Sequence, residues 1–177
     1  MTQIFSTTPR ITVRRVDYAD PRDATALVAL LDGYAQDAAG GGQPLRAEVR
    51  QGLAQALHQR PQAFSIMAWV DDATSTPGAE TAVGLINCFE GFSTFACRPL
   101  VNVHDVVVVS AWRGHRIAQR MLQEVEAMAR ARGACKLTLE VLSGNRSAIR
   151  SYDREGFAAY TLDPQMGSAQ FFQKWLD

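Results

Sequence analysis

Val103-His104-Asp105-Val106-Val107-Val108-Val109-Ser110, followed at once by Ala111-Trp112-Arg113-Gly114-His115-Arg116-Ile117-Ala118, decides how this chain is read. The first part is a run of branched apolar residues with the β propensity of a buried strand, and it ends at Ser110. The second part is a compact, basic, glycine-containing turn. A helical repeat starts inside it, with Ile117, Met121, Leu122, Val125 and Met128 on one face. A buried strand that breaks into such a turn aims the free N–H groups of the new helix at one point, and the positive end of its dipole points there too. That geometry binds phosphate.

Outward from this stretch the pattern alternates between strands and helices. Ile11 to Val16 reads as a first strand. Asp20-Pro21-Arg22-Asp23 announces a helix, with an N-cap acid, proline at the first helical position and an acid in the first turn. Leu27, Val28, Leu31 and Tyr34 keep one face apolar until the helix dissolves in Ala38-Ala39-Gly40-Gly41-Gly42. A second helix is expected from Leu45 to His58, with Val49, Leu53 and Leu57 in register. Phe64 to Val70 and Thr81 to Phe89 read as strands around a turn-rich Asp71-to-Glu80 connection, and Leu100 to Val109 as another. The helix after the turn stops at Arg132-Gly133. Lys136 to Val141 is expected as a strand, Ser143-Gly144-Asn145 as a turn, and Ala148, Ile149 and Tyr152 as one face of a short helix ending at Gly156. Phe157 to Tyr160 and Gln170 to Trp175 are expected to close the order β-α-α-β-β-β-α-β-α-β-β. The fold class is α/β: a mixed sheet with helices on both faces.

The chain has 177 residues, 47% of them hydrophobic, enough for one core in one domain. We expect that domain over residues 11–177, behind a flexible tail of residues 1–10. Basic and acidic residues number 18 each, so no overall field draws the surface to nucleic acid or anionic lipid, and neither is expected as a partner. Anion recognition must therefore be local. No apolar run approaches the roughly 20 residues that span a bilayer, and the first ten residues lack the apolar centre of a signal peptide. Cys88, Cys97 and Cys135 are odd in number and fit neither a disulfide nor a metal framework. A cytoplasmic protein without a metal is the expectation.

Two segments occur in a telling order: Val106-Val107-Val108-Val109 with Arg113-Gly114-His115-Arg116-Ile117-Ala118, then Asn145, Ala148, Tyr152 and Gly156-Phe157. Together they resemble the acetyl-CoA motifs of the GNAT superfamily of N-acetyltransferases, whose turn reads Arg/Gln-x-x-Gly-x-Gly/Ala and whose second motif reads Asn-x-x-Ala-x-x-x-Tyr-x-x-x-Gly-Phe. The order of elements fits that fold along nearly the whole chain: a mostly antiparallel twisted sheet, splayed at strands 4 and 5. Phe92-Ser93-Thr94-Phe95 followed by His104-Asp105 resembles the diamine (spermidine/spermine) and thialysine acetyltransferase branch. One position departs from the family pattern, because Arg116 stands where the family usually has glycine. If that position needs a positive φ, arginine there is strained. If it is already helical, Arg116 adds a cation beside the phosphates, and the fit of Ile117 and Ala118 favours this second reading.

The resemblance implies acetyl-CoA as cosubstrate. Gly114, His115, Arg116, Ile117, Ala118 and Gln119 would offer N–H groups to its pyrophosphate, with charge from Arg113 and Arg116. Val106, Val107 and Val108 are core residues first, but in the family the same strand leaves its neighbour at a bulge and pairs with the pantetheine arm. A backbone N–H near Val107 would meet the oxyanion of the transferring acetyl group. Asn145 caps a helix on its own terms, and the helix start from Asn145 to Ala148 would also touch the cofactor arm. Tyr152 reads either as a core tyrosine or, by resemblance, as the acid that protonates the departing thiolate; a phenol of pKa about 10 can protonate a thiol of about 8.5 as charge develops.

His104 and Asp105 interrupt a valine strand. Simple alternation puts Asn102 and His104 on one face and Asp105 on the other. A carboxylate among valines is costly unless paired or wetted, so one of the two faces a polar cleft. The branch has glutamate at the position of His104, and an imidazole of pKa about 6.5 suits removing a proton from an ammonium, directly or through water. The plainer reading is a buried, satisfied histidine. Tyr34, Asp37, Phe92, Asp105 and Glu140 are the acceptor-side candidates. An acyl-cysteine at Cys97 or Cys135 has no activating partner in the sequence. The resulting expectation is acetyl transfer to a primary amine of a small molecule, a diamine, polyamine or lysine-like amino acid, by direct attack in a ternary complex. A non-catalytic acyl-CoA-binding module and a peptide or protein N-acetyltransferase are the alternatives. A homodimer is expected, through a C-terminal strand with Phe171, Phe172 and Trp175, unless these aromatics only finish the core.

Overall fold

The computed structural model describes residues 9–71, 79–163, 165, 167 and 169–176. Residues 1–8 of the expected tail, and residues 72–78 of the expected Asp71-to-Glu80 connection, lie outside the described residues. The chain gathers into two compact units, one ending at Leu139 and one beginning at Glu140.

The first unit holds β1 (Ile11–Arg15), α1 (Pro21–Gln36), α2 (Ala47–His58), β2 (Ala63–Asp71), β3 (Glu80–Ser93), β4 (Arg98–Val108), α3 (Ile117–Ala131) and β5 (Leu137–Leu139). The five strands form one sheet in chain order, antiparallel throughout except for the parallel pair β4–β5. α1 begins as its sequence dictates: Asp20 Oδ1 accepts from the Arg22 N–H at 2.7 Å, and Pro21 opens the first turn. Leu27 and Leu30 of α1 and Leu57 of α2 pack on one face of the sheet with Met67, Leu85 and Val107. The other face carries α3 through Ile117, Met121, Leu122, Val125 and Ala129. Gly84 makes that contact close. A Cβ there would lie 2.8 Å from Met121 Cε and 3.0 Å from Ile117 Cγ2, so the missing side chain lets the first turns of α3 settle onto β3.

A second buried group anchors α1. Asp23 is fully buried and takes both Arg14 guanidinium nitrogens at 2.6 Å and the Asp17 N–H at 3.0 Å. Burial pushes the Asp23 carboxyl up, but the Arg14 hydrogen bonds, the Asp17 N–H and the charges of Arg14 and Arg22 outweigh it and hold the group below its ordinary value.

In the second unit α4 (Arg146–Arg154) is capped by Asn145, whose side chain accepts from the Ala148 N–H at 3.2 Å. It ends at Gly156, φ +84°, where the Phe157 N–H returns to the Tyr152 carbonyl at 3.1 Å. Three expectations are corrected. The strand expected over Lys136 to Val141 is only Leu137–Leu139. Phe157 to Tyr160 is not a strand, and neither is Gln170 to Trp175; no ladder pairs with either among the described residues. Without a ladder an extended segment loses chain entropy and gains no hydrogen bonds in exchange. Phe171, Phe172 and Trp175 are each more than 70% exposed, so they do not finish a core.

Candidate active site

β4 leads into the turn with Val107 buried and Val106 and Val108 half-buried. A 3-10 turn over Ser110–Trp112 follows, then extended Arg113, then Gly114 at φ +87°. A Cβ on Gly114 would meet nothing within 4 Å, so the backbone faces open space at that point. The first backbone hydrogen bond of α3 runs from Arg120 to the Arg116 carbonyl at 3.1 Å. The N–H groups of Ile117, Ala118 and Gln119 precede it. No side chain caps this terminus and no acid stands in its first turn, whereas Asp20 caps α1 and Asn145 caps α4. A donor-rich, dipole-positive helix start left without an internal acceptor suits an anion.

Arg116 corrects the favoured expectation. It is not helical: it caps α3 in the left-handed region at φ +59°, ψ +22°. With Gly114, also at positive φ, it carries the chain from extended Arg113 into α3. Arginine therefore occupies a glycine conformation, at a cost of roughly 1–2 kcal/mol. Its side chain is exposed and has no partner among the described residues.

Arg113, expected beside the phosphates, makes two side-chain contacts within the protein. Its Nε donates to the Val108 carbonyl at 3.1 Å and its guanidinium to Asp37 Oδ2 at 2.9 Å, while its own N–H returns to Ser110. It thus ties the end of β4 to the C-terminus of α1 across 76 residues. His115 Nδ1 lies 3.3 Å from the carbonyls of Trp112 and Arg113, with its ring tilted on Trp112 at 5.3 Å.

β5 pairs with β4 only from Val101 to Val103. Beyond Val103 the outward edge of β4 has no strand beside it among the described residues, which is the splay expected between strands 4 and 5. The splay begins at a β-bulge. Val103 opposes Cys88 and Asp105 opposes Asn87, so His104 is the extra residue. This overturns the simple alternation: after the bulge Asp105 stands on the α1 face with Asn87 and Val107, the face that Asn102 shares through its partner Phe89. His104 is exposed rather than buried, and it stands edge-on to Phe89 at 5.5 Å.

Asp105 Oδ2 accepts from Asn87 Nδ2 at 3.0 Å. Tyr34 is half-buried, with its hydroxyl 3.4 Å from the Ala39 carbonyl. Burial first, then the charges of Asp105 and Asp37, push its phenol above the ordinary value. Tyr34, Asp37 and Asp105 therefore share one electrostatic environment. Phe92 lies on β3 near the β3–β4 hairpin and is 59% exposed. Cys88 is buried, its thiol pushed up to about 12 chiefly by that burial, and no cluster of metal-ligating side chains occurs among the described residues.

In the second unit Tyr152 is half-buried, its ring edge-on to Phe157 at 5.9 Å. Asn145 and Ala148 meet in the cap that starts α4, and Glu140 is exposed just after β5. Sequence reasoning missed Trp112, Ser65 and Asn87. The last two had a signal, since each is a polar residue in the middle of an apolar strand.

Among relatives, a streptothricin acetyltransferase from Streptomyces lavendulae is 36% identical over 94 residues, 52% of this chain and 50% of that protein. The match thus spans half the length of that relative. Solved structures share the fold at low identity. A ribosomal-protein-alanine N-acetyltransferase from Brucella melitensis biovar Abortus 2308 superimposes with a TM-score of 0.67 at 19% identity, over 94% of this chain and 100% of that one. An aminoglycoside acetyltransferase from an uncultured soil metagenomic sample, solved with trehalose, gives 0.71 at 12% identity, over 93% and 96% of the two chains. No helix among the described residues is long and apolar enough to cross a membrane. A model of the acetyltransferase (GNAT) family matches residues 27–157, from α1 through the phosphate-type turn to the end of the second motif, and the chain belongs to that family.

Proposed function

We propose that this protein transfers an acetyl group from acetyl-CoA to a primary amine of a small cationic molecule. The observation that carries the reading is the run from β4 to α3, where a strand edge left open by β5 leads into an uncapped helix start over an open Gly114. Acetyl-CoA supplies the acetyl group as a thioester. The open edge of Val106, Val107 and Val108 takes its arm, and the N–H groups of Ile117, Ala118 and Gln119 take its phosphates beside the Arg116 cation. By the family resemblance Asn145 and Ala148, at the start of α4, are cofactor-binding residues too. His104, or a water it orders, removes the proton from the acceptor ammonium, and Tyr152 protonates the sulfur that leaves.

The acceptor is a diamine, polyamine or lysine-like amino acid. Support comes from the Asp105 carboxylate, which reaches Tyr34 by its charge and to which a cationic chain is drawn; Asp37, whose charge also reaches Tyr34, is already paired with Arg113. Phe92 and Glu140 flank the acceptor in this reading. A second reading, an antibiotic amine as acceptor, is favoured by the identity to the streptothricin enzyme. A single domain over residues 11–177 is consistent with a family match that runs across both units. The exposed Phe171, Phe172 and Trp175 suit a homodimer contact, and the free cysteines suit the cytoplasm.

The test is thiol release from acetyl-CoA with a panel of diamines, amino acids, aminoglycosides, streptothricin and short peptides with free N-termini, for the wild type, Tyr152→Phe and His104→Ala. Turnover of one amine class that falls about 10²-fold or more in either variant is the expected result. Tight acetyl-CoA binding without turnover of any amine would favour the binding-module alternative. Acetylation of peptide N-termini alone would favour the peptide or protein enzyme.

A further inference from the structure

A line of hydrogen-bonded side chains crosses the sheet and ends at Asp105. Tyr18, in the turn between β1 and α1, sets its hydroxyl 2.8 Å from Ser65 Oγ on β2. Ser65 Oγ donates to Asn87 Oδ1 on β3 at 2.6 Å, and Asn87 Nδ2 donates to Asp105 Oδ2 on β4 at 3.0 Å. The register places Ser65, Asn87 and Asp105 side by side on one face. Ser65 is fully buried and Asn87 is 3% exposed.

The direction of the line follows from counting protons. Ser65 has one hydroxyl proton and gives it to Asn87, so Tyr18 must be the donor to Ser65. Burial pushes the Tyr18 phenol up, against a smaller downward pull from Ser65, which keeps that donor protonated through neutral pH. The Asn87 amide donates on one side and accepts on the other, so it transmits orientation and not a proton. Each link thus points a donor toward the carboxylate. Asp105 Oδ1, the other carboxylate oxygen, has no partner among the described residues.

Packing alone does not call for this polar row. The neighbouring row on the same face, Met67, Leu85 and Val107, joins the same three strands with apolar side chains. Burying a serine and an asparagine forgoes that apolar contact, and what the fold gains is one fixed orientation of Asp105. We infer that Tyr18, Ser65 and Asn87 are positioning residues, which hold the Asp105 carboxylate toward the cationic amine of the acceptor. This rests on the acetyl-transfer reading proposed above.

The experiment measures acceptor KM, acetyl-CoA KM and kcat for Tyr18→Phe, Ser65→Ala and Asn87→Leu, each alone and combined with Asp105→Asn. Cadaverine, L-lysine and kanamycin serve as probe amines. Acceptor KM is expected to rise about tenfold in Asn87→Leu, the scale of one hydrogen bond to a charged group. It rises less in Ser65→Ala and least in Tyr18→Phe, with acetyl-CoA KM unchanged. In the Asp105→Asn background these rises disappear, because the line then has no carboxylate to hold. Equal rises in both backgrounds, or acetyl-CoA KM rising in step, would make the three residues merely structural and overturn the inference. Should Asn87→Leu fail to fold, Tyr18→Phe, which removes one oxygen at the half-buried end, carries the same comparison. If the wild type turns over none of the probes, acetyl transfer to them falls, and the line is read from the Asn87 side-chain amide in a nitrogen–proton correlation spectrum. A shift of that signal in both Tyr18→Phe and Asp105→Asn supports the line, and no response in either overturns it.

Discussion

Replacing Arg116 by glycine separates the two consequences of an arginine at φ +59°. Glycine relieves a left-handed strain of roughly 1–2 kcal/mol. It also gives the unfolded chain more freedom, which returns about 0.4–1 kcal/mol of that gain. Arg116→Gly is therefore expected to stabilise the fold by about 0.5–1 kcal/mol, a rise in Tm of roughly 1–4 °C for a chain of this size. Arg116→Ala keeps the strained backbone and loses only an exposed side chain, so its stability stays within about 0.5 kcal/mol of the wild type. On the proposed reading both variants lose the cation beside the phosphates, and both weaken acetyl-CoA binding a few-fold, with a shallower dependence on salt. Stability would then follow the backbone and affinity the charge. Urea unfolding gives the first and calorimetric titration at two salt concentrations the second. If Arg116→Gly is no more stable than Arg116→Ala, with the same denaturant slope, the residue is not strained and the reasoning fails.

Asp23→Asn should destabilise the fold by about 2–3 kcal/mol at neutral pH, the lower side for a buried pair because Arg14 is partly exposed. Since the folded Asp23 carboxyl sits below its ordinary value, its contribution is present above the unfolded pKa of about 3.9 and is lost as pH falls through the folded value. Urea unfolding across pH should therefore show the gap between wild type and variant closing in acid. Gly84→Ala should cost about 1–3 kcal/mol, because its Cβ would meet Met121 and Ile117, and the cost should shrink in a Gly84→Ala/Met121→Ala pair. The Cys88 thiol, pushed up to about 12 and buried, should resist a thiol reagent until the protein unfolds, while exposed Cys97 reacts in the native state.

Much of the fold was legible because its signals are local. The Asp20-Pro21 cap, the spacing from Ile117 to Val125 and the valine run each follow from a few neighbouring residues. The errors arose where the answer is not local. Whether Gln170 to Trp175 forms a strand depends on a ladder partner, and no residue within the segment encodes one. Whether position 116 is helical depends on how the chain turns between extended Arg113 and Ile117, and the sequence of the turn permits both. Arg113 reads as a cation next to the turn, and its ion pair is not visible in the sequence. Its partner Asp37 lies 76 residues earlier, and only the fold brings the two together.

The bulge at His104 shows how one non-local feature decides the chemistry of a strand. Without it, Asp105 would follow Val103 onto the α3 face, into the layer filled by Ile66, Ile86 and Met121, each fully buried. A carboxylate there would have no donor and would oppose folding by several kcal/mol. One extra residue reverses the phase of everything after it. Asp105 then arrives beside Asn87, Val107 joins the α1 core, and His104 is left outside the ladder and exposed. The pair His104-Asp105 in a valine strand is thus compatible with the sheet only because the strand is broken between its two apolar halves. The same break ends just past the last residue that β5 covers, Val103. The two polar residues, the phase reversal and the open strand edge have a common cause, which is why the candidate chemistry collects at this point on β4.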